Sequence, residues 1–345
     1  MMKDHLSESL SEVTFPPGAR IARYFPPASG IYEVKPGLYP FGTAFGNGEA
    51  DGHVFQIDAT FDQYREVKRL ARLERLSKYY QVSDYTPDVA RETTNFILER
   101  LTLEHPDLFR LEEANGTRTL RCAPTEEVLT FDADLQRVGV TSRHTPVTPP
   151  YASALDALAA QMQEDLAVVS TSGDGGDWVS ALHICCPSHW AAEDKIGKDF
   201  ATVHAPVAGI ERINQAARQM VNAMVHKGPY VRFAWTIQSD SRLNHHVEPP
   251  PGVPAETWQG RSFDWRAPRL FLRVERQTLW GFPKVGAFLF VIRTSFTDGE
   301  AIRQDSEACA RFRSAIASMT PESLAYKGLT QHRDAILKWL GEPAG

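Results

Sequence analysis

The sequence predicts an α+β protein. Segments with helical periodicity alternate with segments that read as strands, and the last three strands follow one another closely, which favours antiparallel pairing. The chain has 345 residues, of which 42% are hydrophobic and 23% are charged, the proportions of an ordinary globular protein. A disordered, collagen-like or disulfide-stapled chain is thereby excluded.

Residues 1–150 are predicted to form an arm followed by a region of helices and short strands that packs on the core. Paired prolines and glycines punctuate the first sixty residues, which is typical of an extended arm. A short strand is expected at residues 54–57. Two helices and two short strands should follow, at residues 61–80, 87–104, 117–123 and 128–131. The proline-rich segment 144–151 is the best internal boundary.

Residues 151–300 are predicted to form the core, and residues 301–345 to add two outer helices, at 301–319 and 330–340. The core should begin with an amphipathic helix at 153–168, a glycine-rich turn at 172–177 and a strand at 178–186. A helical segment at 210–225 should lead to strands at 230–238, 270–279 and 286–296, the last two joined by a hairpin loop at 280–285. A strand, a helical crossover and a three-stranded meander is the general plan of a PAS-like domain.

Charge and hydropathy exclude several classes of function. Lys and Arg number 37 and Asp and Glu number 43, so the net charge is −6, whereas a nucleic-acid-binding protein normally has a basic face. The longest uncharged apolar stretch of the C-terminal half, residues 286–292, is far shorter than the roughly 20 residues that span a bilayer. Residues 1–13 carry four charges where a signal peptide would be apolar. A cytoplasmic protein without nucleic-acid or membrane partners is expected.

Four cysteines, at 122, 185, 186 and 309, show no metal-binding spacing. No C-x-x-C pair occurs, and neither does a G-x-G-x-x-G fingerprint. The chain is therefore not expected to make its own iron–sulfur centre, zinc site or dinucleotide site. Reduced, mostly buried thiols are the simpler interpretation.

Three histidines, His183, His189 and His204, lie on a predicted strand and the segment that follows it. A neutral imidazole there can ligate a metal or a haem iron, although a hydrogen-bonded core or capping histidine is the simpler interpretation for each. His183 can also merely face solvent. His204, between apolar residues just before a helix, is the best candidate ligand, and Cys185 as a thiolate ligand is a lesser alternative. The pair His245-His246 is interpreted as loop.

The strand at residues 270–279 carries polar residues at alternate positions. Four side chains are expected on one face: Phe271, Arg273, Glu275 and Gln277. Arg273 could pair with an anionic cofactor group and Glu275 with a cationic substrate. Arg232 and Arg293 on neighbouring strands are further cationic candidates, each more simply a surface charge. The alternative for the whole face is a solvated surface with cross-strand ion pairs.

These segments resemble the haem-dependent oxidative N-demethylase family, which includes the haem subunits of dimethylamine monooxygenase. The similar strings lie at residues 186–190 (Cys-Pro-Ser-His-Trp), 195–197, 203–207, 273–279, 283–286 and 290–294. Similar strings also lie at 55–58 and 78–80, so the resemblance covers about residues 38–300.

The resemblance implies a PAS-like domain that binds haem b, activates O₂ and oxidises an N-methyl group of a secondary amine such as dimethylamine to formaldehyde and the shorter amine. It also implies partners: a reductase subunit that supplies electrons from NADPH through FMN and an iron–sulfur cluster, and a folate-binding subunit that captures formaldehyde. The absence of iron–sulfur and dinucleotide motifs fits a subunit that borrows its electrons.

On this basis His204 is predicted to ligate the haem iron. Arg273 and Arg232 are predicted to pair with the haem propionates, and Glu275 to hold the amine. These last three roles follow from face and charge, and the resemblance does not fix them. The alternatives are a non-catalytic haem sensor of PAS-like fold and a haem-free scaffold subunit.

Overall fold

The computed structural model describes residues 21–143 and 146–342. Residues 1–20 of the predicted arm, residues 144–145 of the expected boundary and residues 343–345 of the C-terminal part lie outside these residues. Helices and antiparallel sheets are mixed along the chain, so the α+β prediction is confirmed.

The helices of the described chain are numbered α1 to α11 in chain order. Their bounds are Phe61–Tyr79, Pro87–Glu104, Ala154–Ala159, Phe200–His204, Glu211–Gln215, Ala217–His226, Ala255–Gln259, Gly299–Gln304, Ser306–Ala317, Pro321–Tyr326 and Arg333–Gly341. None of the helices within residues 21–143 and 146–342 combines the length and the apolar content that a membrane-spanning segment needs.

The strands are numbered β1 to β11. Their bounds are Tyr39–Pro40, Tyr80–Val82, Phe109–Ala114, Thr117–Cys122, Glu127–Phe131, Arg137–Ser142, Asp165–Thr171, Asp177–His183, Tyr230–Gln238, Phe271–Phe282 and Ala287–Asp298. Seven of them form one sheet in the order β1-β9-β10-β11-β7-β8-β2, and β3 to β6 form a second sheet. All these strand pairs are antiparallel.

The crossover from β8 to β9, which contains α4 to α6, covers one face of the seven-stranded sheet. Phe200 and Met224 from the crossover pack with Leu279 and Ile292 from the sheet in one apolar cluster. The approach is close at Gly281 of β10, where a Cβ atom would lie 2.1 Å from the carbonyl oxygen of Val225. Only glycine lets α6 lie this near the strand.

The opposite face of the same sheet is covered by the other two parts of the chain. At one end, helices α2 and α3 and the four-stranded sheet build the largest apolar cluster, in which Leu98 and Leu129 meet Leu289. At the other end, Phe312 and Trp339 of the C-terminal helices pack on Leu272. Different parts of the chain therefore cover the two faces of the sheet. The site described below lies on the face that the crossover covers.

The helix predicted at 153–168 is wrong in its second half. The helix ends at Ala159, and Asp165–Thr171 is strand β7, near the centre of the sheet. Ser153 caps the helix by accepting a hydrogen bond from the main-chain N–H of Asp156 at 3.1 Å. A strand that is buried on both faces has no polar alternation, so periodicity does not separate it from a buried helix.

The strand predicted at 54–57 is absent from the described structure. The main-chain N–H groups of this segment donate to carboxylates instead of to a neighbouring strand. Val54 and Phe55 bond Glu104, at 2.8 and 3.0 Å, and Gln56 bonds Glu164 at 2.7 Å. The predicted hairpin loop at 280–285 is shorter than expected, since β10 continues to Phe282 before the turn.

Candidate functional site

The polar residues predicted to share a face of β10 do so. Arg273 Nη2 lies 3.4 Å from Glu275 Oε1, and Gln277 Nε2 donates to Glu275 Oε2 at 3.0 Å. Arg232 of β9 is directly opposite Gln277 and therefore lies on the same face. Since Arg273 is fully buried and Gln277 nearly so, the alternative of a solvated face is wrong. These four residues form what we call the polar patch.

Glu275 has unused hydrogen-bonding capacity. Each of its oxygens faces one donor, Arg273 or Gln277, whereas a carboxylate offers about four acceptor positions. Its side chain is 17% exposed, so part of the carboxylate is accessible. Arg232 and Lys327 are close enough for the charge of Glu275 to raise their pKa values, although burial lowers both pKa values further.

Arg232 is a half-buried cation with one buried nitrogen that lacks a partner within the described ranges. Its Nε has no hydrogen-bond partner within the described ranges, although it is shielded from solvent. Burial lowers its pKa, and the nearby charge of Glu275 only partly opposes this effect. A buried guanidinium without a hydrogen-bonded anion is costly, so Arg232 is a natural point of attachment for an anionic ligand.

His204 ends helix α4 and is held in one tautomer. Its Nδ1 donates to the carbonyl oxygen of Phe200 at 2.7 Å, and the Phe200 ring lies against the imidazole at 4.2 Å between centroids. Burial lowers the pKa of His204 to about 4, against the effect of this hydrogen bond and with help from the charges of Arg232 and Lys195. The imidazole is therefore neutral at pH 7, and Nε2 carries a lone pair that can ligate a metal.

Arg273 has its Nη groups occupied by the protein. It donates to the carbonyl oxygens of Leu243 at 2.9 Å and Cys186 at 2.5 Å, and so joins two loops to the sheet. Only its buried Nε lacks a partner among the residues that the structure describes. Its predicted pairing with a haem propionate stays a prediction, and these bonds favour a positioning role.

We expect the Arg273→Met substitution to destabilise the fold by about 3 kcal/mol, because it leaves the buried carbonyl oxygens of Cys186 and Leu243 without donors. Urea unfolding followed by circular dichroism measures the effect. Arg121→Met, on the exposed side of β4, is the matched control and should change stability by less than about 0.5 kcal/mol. Equal stability of the two variants would show that Arg273 is dispensable for packing.

His183 is part of the core and does not face solvent. Its Nε2 lies 3.1 Å from Asp156 Oδ1, and its Nδ1 lies 3.9 Å from Cys185 Sγ. Asp165, His183 and Cys185 come together closely enough to hold a metal ion. However, both Asp165 oxygens already accept main-chain N–H groups, from Cys185 at 2.9 Å and Cys186 at 2.7 Å. Burial and the charge of Asp165 raise the pKa of Cys185 well above its usual value, which disfavours a thiolate ligand.

The two remaining histidine predictions have different outcomes. His189 lies beside the polar patch, with its Nε2 3.4 Å from Nε2 of Gln238 on β9. His245 and His246 lie in a loop, as predicted, but both are buried.

Arg293 is buried on the opposite face of the sheet, where it binds Asp58 at 2.6 Å, so its interpretation as a surface charge is wrong.

Lys327 was not found from the sequence. It follows helix α10, donates to the carbonyl oxygen of Trp235 at 2.7 Å and lies over the rings of Tyr32 and Trp235. Burial lowers its pKa to about 8. No local pattern marks this residue, because it reaches the site only through the docking of the C-terminal helices.

A cavity of about 630 Å³ lies elsewhere, on the four-stranded sheet. Its lining includes Arg110, Arg121 and Glu126 but none of the predicted site residues. The polar patch is a better candidate than this cavity, because it combines an accessible carboxylate with a cation whose buried Nε has no partner in the described ranges. The neutral imidazole of His204 is close enough for the charge of Arg232 to lower its pKa.

Comparison with known families assigns the chain to a family. A family model described as "haem-dependent oxidative N-demethylase, alpha subunit-like" matches residues 48–337. The chain belongs to this family. The match includes both the crossover that carries His204 and the strands that carry Arg232, Arg273 and Glu275.

The residues on the crossover side of the sheet fit a haem group. His204 offers an imidazole whose Nδ1–H is bound to a main-chain carbonyl, the arrangement that metal-ligating histidines generally have. Arg232 offers a buried, unpartnered guanidinium nitrogen, which suits a propionate. The charge of Arg232 reaches His204, so the two groups are near enough to bind one ligand.

Proposed function

We propose that this chain is the haem-binding subunit of an oxygenase that demethylates a secondary methylamine, converting dimethylamine to methylamine and formaldehyde. The electrons come from a partner reductase with flavin and iron–sulfur centres, and a folate-binding partner takes up the formaldehyde. Family membership supports haem dependence and oxidative N-demethylation as the chemistry. The observation that carries the assignment to this site is the neutral imidazole of His204 beside the unpartnered Arg232.

In this proposal His204 Nε2 ligates the iron of haem b, and Arg232 pairs with a propionate. Haem supplies the capacity to activate O₂ for insertion into a C–H bond. The hydrogen bond from His204 Nδ1 to the Phe200 carbonyl orients the ring and makes Nε2 a stronger donor to the metal. Pairing with a propionate would also provide the anion that Arg232 otherwise lacks.

Glu275 holds the amine. A secondary ammonium ion has two N–H groups, and the carboxylate retains free acceptor positions on its accessible side. A charge-assisted hydrogen bond fixes the nitrogen and therefore the attached methyl groups. Gln277 and Arg273 hold the carboxylate in place, so that it presents one orientation to the substrate.

A PAS-like arrangement is part of the proposal. Within the large sheet, β7 and β8 form a hairpin, the helical crossover follows, and β9, β10 and β11 form a meander that returns beside β7. This succession supports a PAS-like core in which haem lies between the crossover and the sheet.

Spectroscopy of the purified chain tests the function. We expect added haem to give a Soret band, and dimethylamine to shift the ferric spectrum. Supplied with electrons and O₂, the loaded protein should release formaldehyde. A chain that never binds haem would contradict the proposal. Haem binding without any response to dimethylamine would favour the haem sensor.

We expect Arg232→Gln to weaken binding of haem about ten-fold or more, because a buried charge-assisted bond to a propionate is lost. The matched probe is haem dimethyl ester, which has no propionate charge and should bind wild type and variant alike. Titration of the Soret band gives both affinities. A variant that loses affinity equally for both probes would exclude a propionate contact.

A further inference from the structure

Asp240 and His245 form a dyad next to the polar patch, in which the imidazole is fully buried and the carboxylate partly exposed. His245 Nε2 lies 2.9 Å from Asp240 Oδ1, and because a carboxylate only accepts, Nε2 carries the hydrogen. Burial lowers the pKa of His245 to about 4, against the effect of Asp240, so the ring is neutral. Its Nδ1 therefore has a lone pair, which is fully buried and has no hydrogen-bond partner in the described part of the chain.

The surroundings of the dyad are built to fit it. Arg242 donates to the other Asp240 oxygen, Oδ2, from Nε at 3.0 Å and from Nη2 at 2.8 Å. A Cβ atom at position 260 would lie 2.5 Å from Asp240 Oδ2 and 2.7 Å from His245 Nε2. Gly260 has φ +60°, so both the space and the backbone there require glycine. Arg242 and His245 thus hold the Asp240 carboxylate from two sides, as a carboxylate is held when it orients a histidine that acts as a general base.

His189 connects the dyad with the polar patch. Its ring lies 5.2 Å from that of His245 between centroids, so the two imidazoles are direct neighbours. Its main-chain N–H donates to the carbonyl oxygen of His245 at 2.9 Å, which fixes the two loops together. His189 has φ +62°, a costly conformation for a residue with a side chain and one that clusters at functional sites.

The charges around His189 keep it neutral. Burial, with the cations Arg261 and Arg273 and against the charge of Asp240, lowers its pKa to about 2, and His245 is its other titratable neighbour. The polar patch itself contains Arg232 and Arg273, with Lys327 close by. These cations disfavour a further positive charge, whereas the Glu275 carboxylate favours one, so an ammonium ion held by Glu275 needs a route by which its proton can leave.

We propose that His189, His245 and Asp240 form a proton relay that removes the proton from the bound ammonium ion. The proton passes from the amine nitrogen to one nitrogen of His189, and the other His189 nitrogen gives its proton to His245 Nδ1. His245 Nε2 then releases its proton to Asp240, whose side chain is 16% exposed and returns the proton to solvent. No electrons move, and the amine is left neutral, as oxidative N-demethylation requires. The inference rests on the proposed function.

Two substrates of different basicity test the relay. Dimethylamine is cationic at pH 7, whereas fluorine makes N-methyl-2,2,2-trifluoroethylamine far less basic and mostly neutral. Hydrogen peroxide can drive the haem-loaded protein, since it supplies the oxidant without a partner reductase. We expect His245→Gln to lower formaldehyde release from dimethylamine at least about ten-fold at pH 7, with recovery as the pH rises and free amine accumulates. Release from the fluorinated amine should stay within about two-fold of wild type.

His246→Gln is the matched control, because His246 is the neighbouring buried histidine but contacts Tyr79 on the other side of the loop. It should leave both substrates unaffected. Equal losses with both substrates in His245→Gln, or no loss with either, would overturn the relay. Asp240→Asn provides a second variant if the His245→Gln protein fails to fold.

A readout independent of activity is ¹⁵N NMR of histidine-labelled protein without haem. We expect His245 to carry its hydrogen on Nε2 and not on Nδ1, and the opposite tautomer would also overturn the relay. A wild-type protein that neither binds haem nor releases formaldehyde would instead contradict the proposed function, which keeps the two failures distinguishable.

Discussion

His204→Ala should abolish haem retention. The substitution removes an imidazole that is neutral and held with Nε2 free for a metal. We expect the haem affinity to fall about 100-fold or more, since even loss of a supporting hydrogen bond typically costs 10–100-fold. The ratio of Soret to protein absorbance after gel filtration measures retention.

The control for this substitution is His226→Ala, since His226 ends helix α6 in an exposed position and should not affect haem. A His204→Ala protein that remains fully loaded would reassign the ligand. Circular dichroism of both variants separates a lost ligand from a lost fold.

The ligand role of His204 also gives a pH dependence. Because the pKa of His204 is lowered to about 4, Nε2 keeps its lone pair from neutral pH down to that value. Haem should therefore stay bound as the pH falls from 7 to 5, and protonation should begin to compete with the iron only near pH 4. Soret absorbance recorded across this range follows the transition.

Glu275→Gln should remove amine binding while leaving haem in place. The substitution keeps the shape of the side chain and its contact with Gln277, but it removes the charge that the ammonium ion pairs with. We expect the dissociation constant for dimethylamine to rise about 10–100-fold, the equivalent of one charge-assisted hydrogen bond. Titration of the ferric spectrum with dimethylamine measures it.

Glu112→Gln is a suitable control for that experiment, because Glu112 lies on β3 of the other sheet and is distant from the patch in the fold. Unchanged dimethylamine affinity in Glu275→Gln would exclude the proposed contact. Loss of the Soret band would instead show that Glu275 supports the haem site.

Much of the site could be predicted from local sequence. The alternation of residues along β10 correctly placed Arg273, Glu275 and Gln277 on one face, since successive side chains of a strand point to opposite sides. Family-specific strings gave the family that the comparison confirmed. His204 was singled out by its polar side chain in an apolar setting.

Other parts of the site could not be predicted, because they depend on contacts between distant segments. Lys327 comes near enough to Glu275 for their charges to interact only after the C-terminal helices dock. Asp240 and His245 form a dyad only because Gly260 leaves room for them. The sequence pattern predicts a helix where strand β7 lies, because burial on both faces removes the alternation that marks a strand.

The sequence by itself determined the α+β class, the family and the polar face of β10, because these depend on the period of local patterns and on short strings of residues. Only the tertiary structure decided which charges are satisfied. Arg273 and Arg232 look equivalent in the sequence, and both have a buried Nε without a partner among the described residues. The Nη groups of Arg273, however, donate to main-chain carbonyls, whereas the hydrogen bonds of the described chain include none from Arg232. That difference is set by which groups the fold brings within hydrogen-bonding distance, and it makes Arg232 the better candidate for binding an anion.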